Sequence, residues 1–357
     1  MNRLLLIGGG HANVYILDAL RKESVDMEVT MVSPSRYQYY SGMFSGFTEG
    51  LYEKEDIRID LRRLAEDGGG SFIEGEVTHV DPQRKEVKVG EDTIRFDLVS
   101  FDTGSLVKEP NHLQEDVYSV KPNYVFPENI DHLKRTREPV IVGGGAAGVE
   151  LAFSMLAWRK KHQVHQRVTL IHSSHLLEEF GKKASRKAEE LAAEKGISVI
   201  TGERVTDVDK EVLWTDSDRR VSHTGVLWLA GAEAPPLYEK SGIKTDQDGF
   251  MLVNDQLQSV SHPSLFGAGD CVSFLKNRVP KNGVYAIRQA PVLWENLKRK
   301  CKDEPLSSFR PQRTYMAILS TGQKEGLLSY GGLVLHHRLC FRLKHFIDSR
   351  FIKNYET

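Results

Sequence analysis

The hydrophobic pattern of the chain twice repeats one unit: a short apolar run, a cluster of glycines, and apolar residues at helical spacing. The runs at residues 3–7 and 140–142 are each followed by three glycines. A run without polar alternation indicates a parallel strand buried on both faces. Apolar residues at three- and four-residue spacing then predict a helix. They are Val14, Leu17 and Leu20 after the first run and Leu151, Ala152, Met155 and Leu156 after the second. The pattern therefore predicts two strand–turn–helix units of an α/β fold.

Further stretches extend this duplication and add antiparallel strands. Residues 96–101 predict a strand that leads into a turn at Gly104, and residues 226–230 predict a strand that leads into a turn at Gly231 in the same way. Residues 72–80 and 86–89 alternate between apolar and polar positions, which predicts antiparallel strands. We therefore expect the repeat to extend beyond the glycine clusters.

The pattern changes from residue 312 onward, where two short strands (315–319 and 324–330) precede a basic, apolar helix over residues 333–352. Helical spacing places its apolar residues on one face. They are Leu335, Leu339, Leu343, Phe346 and Ile347, while Arg338, Arg342, Lys344 and His345 lie mainly on the other face. Two interpretations are open. The helix lies in the headgroup plane of an anionic membrane, or its apolar face packs on the rest of the protein.

The spacing of the glycines indicates sites for the pyrophosphate of a dinucleotide. In the second unit the motif is Gly143-x-Gly145-x-x-Gly148. Its first glycine makes a tight turn, the second lets backbone amides approach phosphate, and the third lets the helix pack on its strand. The N-terminus of the helix then faces the anion. The first unit contains Gly8, Gly9, Gly10, His11 and Ala12, with Asn13 at the third glycine position. Two such sites predict a flavoprotein that receives hydride from a nicotinamide.

Polar residues that follow strands are further candidates for contacts with a nucleotide. Ser33, Pro34 and Arg36 follow the strand predicted at residues 28–32, where Ser33 would bond a ribose and Arg36 would lie near an adenosine. The alternative is a surface turn. His172 and Ser173 follow residues 167–171 without an acid, which permits NADPH because a carboxylate there would repel a 2′-phosphate. Their alternative is an exposed turn.

Two more positions complete the nucleotide hypothesis. Gly269 and Asp270 form a turn in which the carboxylate accepts hydrogen bonds from the hydroxyls of a flavin ribitol. Val77 offers its backbone to an adenine.

Composition narrows the class of protein only modestly. A chain of 357 residues is long enough for two packed domains, and its formal net charge of −1 gives no basic field for nucleic acid. We predict no metal site and no nucleic-acid partner. The three cysteines are odd in number and widely spaced, which favours a reducing compartment over a disulfide framework. We see no signal peptide and no apolar run that would span a bilayer, and expect a cytoplasmic protein, free or peripheral on the inner face of a membrane.

Together these motifs resemble the pyridine nucleotide–disulfide oxidoreductase superfamily of flavoproteins. Within it, the chain resembles the cysteine-free branch, which contains type II NADH dehydrogenases and ferroptosis-suppressor-like quinone reductases, and residues 168–173 are similar to those of the latter. A narrower likeness, carried by residues 40–43, 102–105, 120–122 and 283–289 and by the 342–351 tail, is to the flavoprotein module fused to selenide, water dikinase.

The resemblance implies FAD and NAD(P)H as cofactors and assigns residues to them. The implied contacts with FAD are Gly8, Gly10, Ala12, Asp102, Thr103, Gly104, Gly269 and Asp270, with Ile287 and Gln289 on a helix whose start faces the flavin. Those with NAD(P)H are Gly143, Gly145, Gly148 and, on the equivalent turn of the second unit, Gly231. Glu150 matches a glutamate near nicotinamide and flavin, the expected catalytic residue. Its alternative is a carboxylate favoured by the dipole at the start of a helix.

The fold class that follows is α/β, with two Rossmann-like domains and a small C-terminal α+β region. We expect an FAD-binding domain (1–120 and 238–300), an NAD(P)H-binding domain (121–237) and a C-terminal region with the basic helix (301–357). The predicted enzyme passes hydride from NAD(P)H to FAD and electrons to a quinone or another acceptor, without a redox disulfide. The alternative is a flavin-binding partner or sensor in selenium metabolism. Membrane contact through the C-terminal helix and a homodimer are further hypotheses.

Overall fold

The structure is a computed structural model that describes residues 2–108 and 116–355. Residues 109–115 of the predicted FAD-binding domain lie outside the described residues. The α-helices are α1 (His11–Lys22), α2 (Phe44–Glu49), α3 (Leu61–Asp67), α4 (Phe126–Leu133), α5 (Ala146–Lys161), α6 (Lys182–Lys195), α7 (Leu237–Lys240), α8 (Gly283–Cys301) and α9 (Arg338–Lys353).

The first glycine unit lies in a parallel sheet whose central strand is Asn2–Ile7. The strand order is Leu265–Gly267, Leu98–Phe101, Asn2–Ile7, Met27–Ser33 and Ser71–Glu74, and every neighbouring pair is parallel. Leu4, Leu5 and Leu6 are almost fully buried, as the unbroken apolar run predicts. Helices cover the sheet, and α1 packs against α8. A strand from residues 265–267 thus returns to the sheet that begins at residue 2.

The second glycine unit lies in a second parallel sheet with the same arrangement. Its strand order is Val117–Ser119, Val226–Trp228, Val140–Val142, Thr169–His172 and Ser198–Thr201. Each sheet is accompanied by an antiparallel group. The strands of these groups are Val77–Asp81, Glu86–Val89 and Asp92–Arg95 in the first unit and Val205–Val208, Val212–Thr215 and Arg220–Ser222 in the second. The predicted α/β fold with two Rossmann-like units is confirmed.

Three pairs of shorter strands form small sheets of their own, and the second of these pairs joins the two units. Their pairs are Tyr37–Tyr39 with Arg58–Asp60, Leu106–Val107 with Ala232–Glu233, and Met251–Val253 with Val272–Phe274.

The prediction of antiparallel strands across residues 72–80 is wrong for its first part. Ser71–Glu74 is an edge strand of the first parallel sheet, paired with Met27–Ser33. Only Val77–Asp81 enters the antiparallel group. All four residues of this edge strand are exposed or half-buried, so it lacks the unbroken apolar run by which a buried parallel strand is predicted.

The prediction of a single helix over residues 333–352 is also wrong. Leu333–His337 is a strand that pairs with Gly326–Tyr330, which in turn pairs with Ala317–Ser320, and α9 begins only at Arg338. Gly331 and Gly332, with φ of 56° and 85°, form the two-residue turn between the strands. A Gly-Gly pair between apolar runs is a hairpin signal, and the sequence interpretation missed it.

The buried and exposed faces of α9 are the reverse of those expected if its apolar stripe packed on the rest of the protein. Cys340, Phe341 and Ile352 are buried against the protein. The apolar stripe points outward: Leu339 and Phe346 are both 60% exposed, and Leu343 and Ile347 are exposed as well. The stripe therefore does not pack on the rest of the protein. Among the described residues, no helix combines the length and apolarity required to cross a bilayer.

Candidate functional site

A cavity of about 1430 Å³ opens between the first glycine turn, the start of α5 and the C-terminal region. This volume exceeds the range of about 300–1,000 Å³ that is usual for a site for one small molecule. Its lining includes these predicted site residues: Gly8, Gly9, Gly10, His11, Ser33, Pro34, Val77, Asp102, Thr103, Gly104, Glu150, Asp270 and Ile287. The cavity thus joins residues from widely separated parts of the sequence and has room for a dinucleotide and a second molecule.

The other predicted site residues lie outside the lining of this cavity. They are Ala12, Arg36, Gly143, Gly145, Gly148, His172, Ser173, Gly231, Gly269 and Gln289. Arg36 is paired with Asp60 (Nη2–Oδ2 2.6 Å), and the buried Gln289 accepts a hydrogen bond from the Gly269 N–H at 2.7 Å. His172 is half-buried, and Ser173 is exposed. Gln289 thus shapes the turn before Asp270 rather than facing the cavity.

The first glycine turn is built on Gly8, whose φ of +90° disfavours any other residue. A Cβ at Gly8 would lie 2.5 Å from the Asp102 carbonyl oxygen, and a Cβ at Gly10 would lie 2.1 Å from the Asp102 carboxyl carbon. The turn therefore presses directly on the end of the neighbouring strand. Its open side faces the cavity, so the residues present fit the pyrophosphate of FAD.

The side chain of Asp102 is committed to the protein rather than to a ligand. It is buried, and its Oδ2 accepts hydrogen bonds from the N–H groups of Ala12 (2.7 Å) and Asn13 (3.4 Å). These are donors of the first turn of α1 that a capping side chain normally takes. Burial raises the pKa of Asp102 to about 7. Asp102 thus caps α1 from beneath the glycine turn.

Asp270, predicted to bind a ribitol, lies at the cavity with a cationic partner that the sequence interpretation missed. Lys121 Nζ is 2.9 Å from Asp270 Oδ2 and also donates to Ser105 Oγ. Lys281 Nζ donates to the Asp270 carbonyl oxygen at 3.0 Å. Two lysines thus hold this corner of the cavity, and no local spacing in the sequence joins them to Asp270.

Glu150, the predicted catalytic residue, is held in a polar network at the opposite end of the cavity. Its Oε1 accepts hydrogen bonds from the Ser320 N–H (2.6 Å) and the Ser45 hydroxyl (3.2 Å), and lies 3.7 Å from Lys344 Nζ. Burial raises the pKa of Glu150 despite the nearby Lys344. The N-terminal part of α5 and the C-terminal region thus meet at this carboxylate.

Lys344 comes from α9 and ties a second carboxylate into the network. Its Nζ is 3.1 Å from Asp348 Oδ2 and donates to the Gly42 carbonyl oxygen at 2.7 Å. The Tyr40 hydroxyl donates to Asp348 Oδ1 at 3.1 Å. Burial alone would lower the pKa of Lys344, but the carboxylates of Glu150 and Asp348 outweigh it and raise this pKa. Lys344, placed by the sequence pattern on the basic face of the helix, instead lies in the site with its side chain only 12% exposed.

The second glycine turn has the same frame as the first. Gly143 has φ of +126°, and its N–H donates to the carbonyl oxygen of Ile171, as Gly8 does to Val32. A Cβ at Gly148 would lie 1.8 Å from the Gly143 carbonyl oxygen. Here the cavity is lined by Ala146 and Ala147 at the start of α5 and by Glu179 and Phe180. The start of the helix, rather than the glycines themselves, reaches the cavity.

This fold and site define a class: an oxidoreductase built on two parallel sheets that each lead into a glycine turn, with the first turn and the helix start that follows the second turn bordering one cavity. The family model for the pyridine nucleotide-disulphide oxidoreductases matches residues 2–290. The chain belongs to this family, and its cofactors are FAD and NAD(P)H.

Individual relatives are distant but extend over nearly the whole chain. The chain is 24% identical to ferroptosis suppressor protein 1 of Xenopus tropicalis, over 93% of this chain and 90% of the relative. It is 21% identical to a type II NADH:quinone oxidoreductase of Staphylococcus saprophyticus, over 98% and 95%. The solved sulfide:quinone oxidoreductase of Aquifex aeolicus superposes with a TM-score of 0.85 at 19% identity, covering 99% of this chain and 91% of that one.

These comparisons confirm the predicted family branch, the oxidoreductase activity and both cofactors. They do not support the narrower likeness to the module fused to selenide, water dikinase, nor the selenium-linked alternative. The roles of individual site residues stay predictions.

Proposed function

We propose that this chain is an NAD(P)H:quinone oxidoreductase in which the first glycine turn holds FAD and the second holds NAD(P)H. The balanced reaction takes NAD(P)H, one proton and a quinone to NAD(P)⁺ and the quinol. The observation that carries the proposal is the single cavity, which extends from the turn at Gly8 to the network of Glu150 and Lys344. The type II NADH:quinone oxidoreductase among its relatives supports quinone as the acceptor.

Bound FAD would supply the chemistry that accepts hydride and releases electrons, so the protein must position the reactants and handle protons. Gly8, Gly10 and the start of α1 would bind its pyrophosphate, and Asp270 would accept from its ribitol. The cysteines do not enter this scheme: Cys271 and Cys340 are buried, Cys301 is half-buried, and all are free thiols.

The network around Lys344 is suited to supplying the proton that the quinol needs. Two carboxylates, Glu150 and Asp348, face one ammonium group, and all three side chains line the cavity. Burial raises the pKa of both carboxyl groups. Two carboxylates that share one buried cation are expected to retain a proton. The network can therefore hold that proton at a carboxyl group that lines the cavity.

Lys344→Met tests this role because it removes the ammonium group that holds the two proton-sharing carboxyl groups in place, while keeping a side chain of similar length. We expect quinone to reoxidise the reduced flavin about 100-fold more slowly, a typical loss for a proton-handling group, while NAD(P)H reduces the flavin at a rate within a few-fold of wild type. Stopped-flow spectroscopy of the flavin measures the two half-reactions separately, and Glu150→Gln should show the same split.

Lys353→Met, at the exposed end of α9, is the matched control and should leave both rates unchanged. Equal slowing of both half-reactions in Lys344→Met would rule out the proton role. Absence of NAD(P)H oxidation by quinone in the flavin-loaded wild type would refute the quinone reductase itself.

We further propose that the exposed face of α9 docks this protein on an anionic membrane. Leu339, Leu343, Phe346 and Ile347 form an exposed apolar surface, and Arg338, Arg342, His345 and Arg350 are exposed around it. Apolar side chains among cations match the boundary between acyl chains and anionic headgroups. Because the same helix carries Lys344, docking would place the cavity beside a lipid-soluble quinone.

Flotation with anionic vesicles at low salt tests the docking. Wild type should float with the vesicles. A variant with Leu343→Glu and Phe346→Glu should remain in the soluble fraction, because a charge in place of each apolar side chain opposes insertion into the membrane. Leu275→Glu changes an exposed leucine elsewhere (57% exposed, against 40% for Leu343 and 60% for Phe346) and should still float. A wild type that stays soluble and elutes as a dimer, which the double variant dissociates, would instead make this surface a homodimer interface.

The domain division is part of the same proposal. Residues 265–267 complete the first parallel sheet, which supports a discontinuous FAD-binding domain. Val117–Ser119 pairs with Val226–Trp228, which favours a boundary just before residue 117 rather than at residue 120.

A further inference from the structure

A short segment lies across the second glycine turn. Glu178–Phe180 forms one turn of 3₁₀ helix between Leu177, with φ of 52°, and Gly181, with φ of 87°. The Leu177 N–H donates to the Gly144 carbonyl oxygen at 2.8 Å. At the other end, the ring of Phe180 packs edge-on against Tyr315, with centroids 6.2 Å apart. The segment is thus anchored both to the glycine turn and to the region that follows α8.

The carboxylate of Glu179 takes the position that a phosphate would need. Its Oε1 accepts a hydrogen bond from the Ala146 N–H at 3.2 Å and lies 3.4 Å from the site of a Cβ on Gly145. Gly145 precedes α5 and has no side chain to cap it, so this N–H is a donor that the helix leaves unpaired and that Glu179 satisfies from outside. Donors at this point of the glycine motif are those that bind the dinucleotide pyrophosphate.

We propose that Glu179 is a built-in competitor of the nucleotide: it occupies the phosphate position on Ala146 until NAD(P)H displaces it. The inference rests on the proposed function, since it takes this turn as the NAD(P)H site. The Glu179 side chain is exposed, so it can turn toward solvent while the backbone of the segment stays anchored. The competition lowers the affinity for the nucleotide and favours its release after hydride transfer.

Glu179 also adds an acid that the sequence motif lacks. Burial lowers the pKa of the half-buried His172 at the end of the Thr169–His172 strand, and the charges of Glu179 and Glu178 act against this lowering. Because the pyrophosphate is common to both nucleotides, displacement of Glu179 should affect NADH and NADPH equally. This equality separates competition at the pyrophosphate from repulsion of a 2′-phosphate, which only NADPH carries.

Glu179→Gln tests the proposal, since the amide oxygen still accepts from Ala146 while the negative charge is gone. Titration calorimetry of the flavin-loaded protein with NAD⁺ and with NADP⁺ measures the affinity without reducing the flavin. We expect both dissociation constants to fall about tenfold at low salt, and the gain to shrink at 1 M salt, where exposed charges are screened within about 3 Å. Glu178→Gln removes the same charge from the same segment without a bond to Ala146, and should change either constant less than twofold.

The outcomes distinguish this inference from the proposed function. Unchanged affinities in Glu179→Gln, with normal binding in wild type, overturn the competition and leave the function standing. Tighter binding of NADP⁺ alone also overturns it, because the carboxylate would then face the 2′-phosphate. Weaker binding of both nucleotides would make Glu179 an acceptor for ribose hydroxyls instead. A flavin-loaded wild type that binds neither nucleotide refutes the proposed function and the inference together.

Discussion

The two glycine turns are built on one backbone frame but differ in the residue beneath them. The N–H of Asp102 donates to the Ile7 carbonyl oxygen, and the N–H of Leu229 donates to the Val142 carbonyl oxygen, so the two residues are equivalent. In the first unit the acid under the turn is buried and bonded to the Ala12 N–H. In the second unit the equivalent residue, Leu229, is apolar. There an exposed acid, Glu179, accepts a hydrogen bond from the Ala146 N–H at the start of α5.

This difference suits the molecules that the two turns are proposed to hold. A buried acid cannot leave, so the first turn is permanently capped and stays shaped for a resident cofactor. An exposed acid can be displaced, so the second turn is closed by a group that a substrate replaces at each cycle. The same glycine motif therefore serves a bound flavin and an exchanging nucleotide, and the neighbouring acid makes the difference.

The third motif position differs as well. A Cβ at Gly148 would lie 1.8 Å from the Gly143 carbonyl oxygen, so α5 packs as closely as only glycine allows. At the equivalent position Asn13 donates from Nδ2 to the Gly8 carbonyl oxygen at 2.9 Å and accepts from the Ser100 hydroxyl at 2.6 Å. The first turn thus replaces close backbone packing by side-chain hydrogen bonds.

Gly148→Ala should have the largest effect, because the added methyl forces α5 away from its strand. We expect a loss of about 1–3 kcal/mol in the free energy of unfolding, typical of overpacking, and a large rise in KM for NAD(P)H with flavin still bound. Chemical denaturation and steady-state kinetics measure the two effects. A variant with wild-type stability and KM would show that close packing at this turn is dispensable.

Asn13→Leu should have the next largest effect, since it keeps the volume but removes the bonds to Gly8 and Ser100. Leaving buried polar groups unpaired costs about 1–3 kcal/mol, and the flavin content per chain should fall while the second turn is unaffected. Asn13→Gly, which makes the first turn resemble the second, is the control and should retain more flavin than Asn13→Leu. Full flavin occupancy in Asn13→Leu would contradict this account.

The stability of Asp102→Asn should differ least from that of wild type at low pH, and the difference should grow as the pH rises. Because burial raises the pKa of Asp102 to about 7, the folded protein binds more protons than the unfolded chain between pH 4 and 7. Its contribution to the free energy of unfolding therefore falls as the pH rises through this window. The variant, which cannot ionise, should lose less stability than wild type between pH 5 and 8 in thermal unfolding. Parallel pH profiles for the two proteins would mean that Asp102 does not titrate there.

The sequence by itself determined the two glycine units, the order of their strands and helices, and the turn at Gly269. These features are local: a positive φ or a close approach demands glycine, and an unbroken apolar run demands burial on both faces. The strand at Leu333–His337 was equally local, because Gly331 and Gly332 signal its turn, and it was missed only because the helical spacing was extended too far.

Only the tertiary structure decided which residues meet across the cavity. Lys344 is 194 positions from Glu150, and Asp348 is 308 from Tyr40, so no spacing relates them. The pattern of α9 contains apolar residues on both sides, and it could not tell that Phe341 and Ile352 face inward while Leu339 and Phe346 face solvent. Periodicity reports that a helix has faces, but what each face contacts depends on the elements that pack beside it.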